Sequence, residues 1–223
     1  DNKKDDITSI PISEVFEPKD GCPVCRLRDM LEDRSVTYIT GAAMMEPDVR
    51  IETNKAGFCR HHYGQMLGKG KKLTVALIMQ SHLAQISADG TAKRKLGKNE
   101  RLGESCFICN KLDRNMRQIV QNICVLWEKE KEFRNLYFDQ PYICLNHCRM
   151  LITAADKMQK KNKTEFIKST TALTEKQLEA LAGDLKHFCD MFDYRKNGQD
   201  DWGSSKDSVE RTVTFLTSES IDA

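Results

Sequence analysis

A chain of 223 residues with 35 Lys and Arg against 33 Asp and Glu carries a formal charge of only +2, which argues against a surface built throughout for phosphate backbones. Apolar content of 39% beside 30% charged residues predicts thin cores, and no run approaches the roughly 20 apolar residues that span a bilayer. Nine cysteines is an odd number, and their spacing favours metal ligation in a reducing, cytoplasmic setting over a secreted disulfide framework.

Residues 1 to 20 mix charges and prolines with Ile7, Ile10, Ile12, Val15 and Phe16, the pattern of an irregular or strand-like arm. Gly21 allows the tight turn that Cys22-Pro23-Val24-Cys25 needs. Leu27, Met30, Leu31 and Tyr38 then recur at helical spacing, and Gly41 and Pro47 break the pattern. A short helix or extended connection follows over 48–53. A helix is predicted from Cys59 to Met66, weakened beyond by Gly64, Gly68 and Gly70. The next, Leu73 to Ser87, places Leu73, Ala76, Leu77, Leu83 and Ala84 on one face and further apolar side chains on others, the signature of a central helix.

The second part of the chain repeats the first. A basic linker over 91–105 precedes Cys106-Phe107-Ile108-Cys109, and Met116, Ile119, Val120, Ile123, Trp127 and Tyr137 predict one helix over 112–138. Pro141 resets the chain before Cys144-Leu145-Asn146-His147, with a helix continuing to about Lys160. Thr174-Glu175-Lys176-Gln177 has the form of a capping box ahead of Leu178, Leu181, Leu185, Phe188 and Phe192. Asp207 to Glu210 has the same form ahead of Val209, Val213 and Leu216, and 193–206 between them reads as a polar loop holding Trp202. Strand signals are nearly absent, so the fold class is mainly α.

Each half thus reads as Cys-x-x-Cys, a long connection, then Cys-x-x-His. Three thiolates and one imidazole form the ligand set of a closed, structural zinc site. The expected quartets are Cys22, Cys25, Cys59 and His62 in the first half, and Cys106, Cys109, Cys144 and His147 in the second. His62 is chosen over its neighbour because the repeat sets His61 opposite Asn146 and His62 opposite His147. Two zinc ions are the expected cofactors, with iron-sulfur the alternative for such ligands. Cys124, Cys148 and Cys189 are left over as packing thiols. The architecture expected is two tandem zinc-stapled helical-hairpin modules packed together with a C-terminal helical pair, divided as 1–90, linker 91–105 and 106–223.

Catalysis finds little support. No strand precedes Cys22 as a disulfide oxidoreductase requires, four ligands leave no open position on an ion, and no phosphate loop or nucleophile elbow is present. His82 and His187 lie in helical stretches and read as structural. The preferred function is a noncatalytic interaction or scaffold protein with a protein partner. A nucleic-acid binder is the second reading, through Lys69, Lys71, Lys72, Lys93, Arg94 and Lys95, with 157–163 as a further basic stretch. An enzyme with a pocket between the halves is the third.

The strings Gly21-Cys-Pro-Val-Cys-Arg-Leu, Gly57-Phe-Cys-Arg-His-His, Cys106-Phe-Ile-Cys and Cys144-Leu-Asn-His, followed by Phe192-Asp-Tyr-Arg and a terminal helix after Asp207-Ser208, resemble a bacterial domain family of unknown function over nearly the whole chain. The resemblance implies a cytoplasmic, helical, zinc-binding protein with no assigned activity. The Asp193-Tyr194-Arg195 stretch is expected to tie the long helix to the closing one through an Asp or Arg contact.

Overall fold

The computed structural model describes residues 12–88, 105–192 and 201–219. It is mainly α, with ten α-helices, short 3₁₀ turns and no strand among the described residues. The chain forms two compact units, and they differ from the halves read from the repeat: Arg28–Met116 makes one, and Ile10–Leu27 with Arg117–Ala223 makes the other. Among the described residues the first therefore takes a single stretch of chain, inserted in sequence between the two stretches of the second.

Among the described residues three helices build the inserted unit with parts of two more. α2 (Pro23–Ile39) begins in the discontinuous unit and ends here. Proline stands at its first position, where a missing amide costs nothing. α3 (Pro47–Ala56), α4 (Arg60–Gly68) and α5 (Lys72–Ala88) follow, and α6 (Phe107–Lys129) starts here and leaves after Met116. Leu31, Val36, Ile39, Phe58, Met66, Val75, Ile78, Ile108 and Leu112 are among its buried apolar side chains. α4 runs through Gly64 without a break.

α5 is not central. It packs on α3, burying Val75 and Ile78, while Leu73 is 75% exposed, Leu83 61% exposed, and Ala76, Leu77 and Ala84 face solvent with them. A helix apolar on every side carries no signal of which side meets the core, so composition alone overstated its burial.

In the discontinuous unit, α1 (Ile12–Phe16) is a short helix where an irregular or strand-like arm was expected. Phe16 lies at its end against Phe133 and Tyr137, and Tyr137 meets Phe166, which meets Trp127. The rings beyond Phe16 come from α6, α7 (Lys131–Phe138) and α9 (Lys160–Met191). The helix predicted over 112–138 is broken at Glu130, whose backbone is extended. The break is stabilised locally, because the Arg134 guanidinium donates to the carbonyls of Trp127 and Glu128.

α8 (Leu145–Ala154) ends in a 3₁₀ turn over Ala155–Lys157. α9 then begins fourteen residues before the capping box. Its N-terminus is met by Glu128, which accepts from the Gln159 amide at 2.8 Å and from Asn162. Thr174 sits mid-helix, and its hydroxyl is engaged by the carbonyls of Ile143 and Thr170; a Thr-x-x-Gln spacing fits a helix interior as readily as its start. α10 (Ser208–Thr217) closes the chain, but Asp207 pairs with Arg211 instead of capping the helix. Trp202 is half-buried against Phe188 and Phe192. Arg195 and most of the linker lie outside the described residues.

Candidate metal centres

All eight ligand candidates gather into two quartets, but not those expected. Cys22 and Cys25 meet Cys144 and His147, and Cys59 and His62 meet Cys106 and Cys109, each group having one ligand atom per residue within 4.8 Å of the others. The pairing of each Cys-x-x-Cys with the Cys-x-x-His of its own half is therefore corrected. The chain supplies ligands in nested order: the outer quartet opens and closes the series, and the inner quartet lies between. Each quartet belongs wholly to one unit, the outer to the discontinuous one and the inner to the inserted one.

Local geometry explains why these residue types come at these spacings. Cys59 is the N-cap of α4 and Cys144 that of α8, both in extended conformation, with His62 and His147 at the third helical position. N-cap and N3 side chains share one face of a first turn, so thiolate and imidazole converge. The Cys-x-x-Cys pairs sit at the starts of α2 and α6. There Arg26 N reaches the Cys22 carbonyl, Asn110 N reaches the Cys106 carbonyl, and Cys109 N also approaches Cys106 Sγ at 3.5 Å. Two helix N-termini thus face each quartet, and their partial positive charge opposes the net negative charge of three thiolates.

The distances fit a single tetrahedral ion. With Zn–S of about 2.3 Å and Zn–N of about 2.0 Å, tetrahedral edges are about 3.8 Å for S···S and about 3.5 Å for S···N. In the outer quartet Cys25 Sγ lies 3.5 Å from Cys144 Sγ, and His147 Nδ1 lies 3.1, 3.3 and 3.9 Å from Cys144, Cys25 and Cys22. In the inner quartet Cys59 and Cys109 are 3.9 Å apart, and His62 Nδ1 lies 3.1, 3.2 and 3.5 Å from Cys59, Cys106 and Cys109. A disulfide needs about 2.05 Å, so the sulfurs are free thiols, close but unbonded.

The surroundings of the quartets differ. Cys144 Sγ, in the outer one, lies 3.0 Å from the Ser218 hydroxyl just past α10, and Asn146 donates to the Leu216 carbonyl. In the inner one, His62 is 2% exposed and turns Nε2 toward Glu32 Oε1 at 2.9 Å, a close approach whose angle misses an aligned hydrogen bond. Glu32 is 6% exposed and is also approached by His61 Nε2 at 3.2 Å and Arg28 Nη1 at 3.8 Å. His62, followed by Arg28 and His61, holds its carboxyl below the usual range despite burial. Neither Glu32 nor Ser218 is marked by any local sequence pattern.

Phe58 and Phe107 pack together beside the inner quartet, and the strands of backbone before its two knuckles are tied: Phe107 N donates to the Gly57 carbonyl at 2.9 Å and Ser105 Oγ to the Ala56 carbonyl at 2.7 Å. His82 on α5 donates from Nδ1 to the Asn54 carbonyl at 2.7 Å, an anchor for the turn that delivers Cys59. His187 meets the Asp201 carbonyl. Cys124 and Cys148 are buried and Cys189 is exposed.

Of the basic residues, Lys69 is paired with Asp33, Lys71 and Lys72 are exposed beside it, and Lys93, Arg94 and Lys95 lie outside the described residues. No helix among the described residues is long and apolar enough to cross a membrane.

Residues 3–223 match the model of DUF6062, a family of unknown function, and the chain belongs to that family. No curated protein and no solved structure matches it.

Proposed function

We propose that this DUF6062 protein is a noncatalytic, zinc-stabilised interaction protein of the cytoplasm in which each quartet holds one structural zinc ion. The observation that carries the reading is the closed donor set: three sulfurs and one imidazole converge on one point in each quartet, leaving no position for a substrate or activated water. Zinc is favoured over an iron-sulfur cluster because the donors all lie within 4.8 Å of one another, whereas a cluster binds its cysteines to different irons and spreads them. Structural zinc contributes about 10–16 kcal/mol of apparent binding free energy, as much as the whole stability of a domain, which suits units with thin cores.

The interaction part of the reading is supported by α5. Between Leu73 and Ala88 it carries no Asp, Glu, Lys or Arg, and it exposes Leu73, Leu77 and Leu83 to solvent. Such a face is more apolar than a folded protein ordinarily leaves without a partner.

Elemental analysis of protein purified without added metal tests the first part, with about two zinc ions per chain expected and iron below stoichiometry. Finding neither metal sinks it. For the second part, a protein recovered from the native host with wild type should be lost when Leu73 and Leu83 are both replaced by Asp. Recovery of the same partner with that variant would remove α5 from the interaction.

A further inference from the structure

We infer that Glu32 is the positioning residue of the inner quartet: its carboxylate faces the nitrogen of His62 turned away from the three sulfurs and fixes that imidazole for metal binding. The inference rests on the reading of the quartets as zinc sites. An imidazole that binds an ion through Nδ1 carries its proton on Nε2, and a buried Nε2–H needs an acceptor. His62 is 2% exposed, so water is not that acceptor. Glu32 Oε1, 2.9 Å away, is the carboxylate within ion-pair distance of it among the described residues.

The carboxylate is itself held in place. It is nearly buried on α2, Arg28 one turn earlier approaches its Oε2, and His61 reaches Oε1, the oxygen that faces His62, from the solvent side. A buried carboxylate with these neighbours keeps its charge, raises the basicity of the imidazole facing it and limits the ring to one tautomer.

The outer quartet is built differently. His147 has no carboxylate partner among the described residues, and the nearby polar group there is the Ser218 hydroxyl on a sulfur. The two ions should therefore differ in how firmly they are kept. α2 takes part in both arrangements, opening with Cys25 in the outer quartet and presenting Glu32, two turns later, to the inner one.

The test is zinc release from the full-length protein to a coloured chelator, with cysteines exposed by release mapped by alkylation and mass spectrometry. Wild type should begin with two equivalents; fewer would count against the zinc reading itself and not against Glu32. Glu32→Gln should release one equivalent about 10 to 100 times faster, with labelling confined to Cys59, Cys106 and Cys109. The equivalent held by Cys22, Cys25 and Cys144 should leave at the wild-type rate. Glu32→Asp should fall between, and it carries the test if Glu32→Gln does not fold. His61→Ala should change inner release less than Glu32→Gln does, since His61 is 63% exposed and only adds a second, solvent-side contact to the Oε1 that faces His62.

A Glu32 that merely packs α2 would move both releases together or neither. Unchanged inner release in the folded Gln variant, or in the Asp variant where Gln does not fold, overturns the inference. So does a third zinc equivalent in wild type that disappears in Glu32→Gln, because Glu32 and His61 would then hold a cation of their own.

Discussion

Cys25 Sγ lies 3.5 Å from Cys144 Sγ across 119 residues of chain, while Cys59, its partner by the repeat, meets Cys109 instead. The nested grouping decides which parts of the molecule depend on which ligand. Cys25→Ser should unfold α7, α8 and α9 of the discontinuous unit and leave α3, α4 and α5 protected. Cys59→Ser should do the reverse. Each loses an ion worth about 10–16 kcal/mol in apparent terms, so the affected unit should unfold and not merely soften. Hydrogen exchange read by mass spectrometry separates the outcomes; loss of protection in α3–α5 on changing Cys25 would restore the pairing within halves. Loop entropy adds an order of events. Closing 119 residues costs about 0.9 kcal/mol more than closing the 44 between His62 and Cys106, so the inner quartet closes first on refolding.

Metal binding should release at least two protons per ion at neutral pH. In the metal-free outer quartet, burial pushes the Cys22 thiol up to about 12 and Cys25 is raised by its contact with Cys144, while hydrogen bonds from Cys22 and Cys25 lower Cys144. Cys22 and Cys25 are therefore protonated and must lose those protons to bind. In the inner quartet burial raises Cys109. Burial opposes the His62 cation, but Cys106, Glu32 and Cys59 together outweigh it and raise His62 to about 10; burial also raises Cys106, but His62 and the backbone hydrogen bonds from Cys109 and Cys59 together lower it to about 6. Cys109 and His62 then carry the protons that the ion displaces. Protons compete with metal below these raised values, so affinity falls as pH falls through neutrality. Calorimetric titration in buffers of different ionisation enthalpy gives the count, and fewer than one proton per ion would contradict the protonation pattern.

That these eight residues would gather was legible because Cys-x-x-Cys and Cys-x-x-His are local geometry: both residues of each pair lie within one turn of chain, and the repeat set His62, not His61, opposite His147. Their grouping was not legible. Which knuckle meets which helix depends on where long helices end, and α6 carries the chain away from Cys109 into the other unit before Cys144 is reached. Glu32 was invisible for a related reason: it is an unremarkable acid on α2 until the fold brings α4 beside it. The mainly α class followed from periodicity alone. Two of the local misreadings, Thr174 as a cap and α5 as central, arose where a short pattern fits two environments and only tertiary contact chooses.

Gly57 should tolerate no side chain. Its φ is +62°, and an added Cβ would lie 2.7 Å from His82 Nε2 and 2.9 Å from its Cε1, with that ring already fixed by the Asn54 carbonyl. Gly57→Ala is expected to cost about 1–3 kcal/mol through backbone strain together with the clash. In a His82→Ala background the clash is gone and only the strain remains, so the same substitution should cost less. Denaturant unfolding of the four proteins in a double-mutant cycle measures the difference. Equal costs in both backgrounds would mean that His82 moves aside freely and does not anchor the turn before Cys59.

Ser218 joins the end of α10 to the outer quartet, and two substitutions there should rank in a definite order. Its hydroxyl lies 3.0 Å from Cys144 Sγ, and its φ of +64° is left-handed, a conformation that disfavours a side chain. Ser218→Ala removes a hydrogen bond to a thiolate and keeps the backbone strain, so a loss of about 1.5–3 kcal/mol is expected. Ser218→Gly removes the same bond but relieves a conformation that costs a non-glycine residue roughly 1 kcal/mol, and should be the milder change. Both should hasten zinc release from Cys22, Cys25 and Cys144 and leave the inner quartet alone, because Ser218 touches only the outer one. Denaturation midpoints of zinc-loaded protein give the ranking. A glycine variant less stable than the alanine one would show that the left-handed turn is not strained by serine, and unchanged release in both would show that the hydroxyl does not support the sulfur.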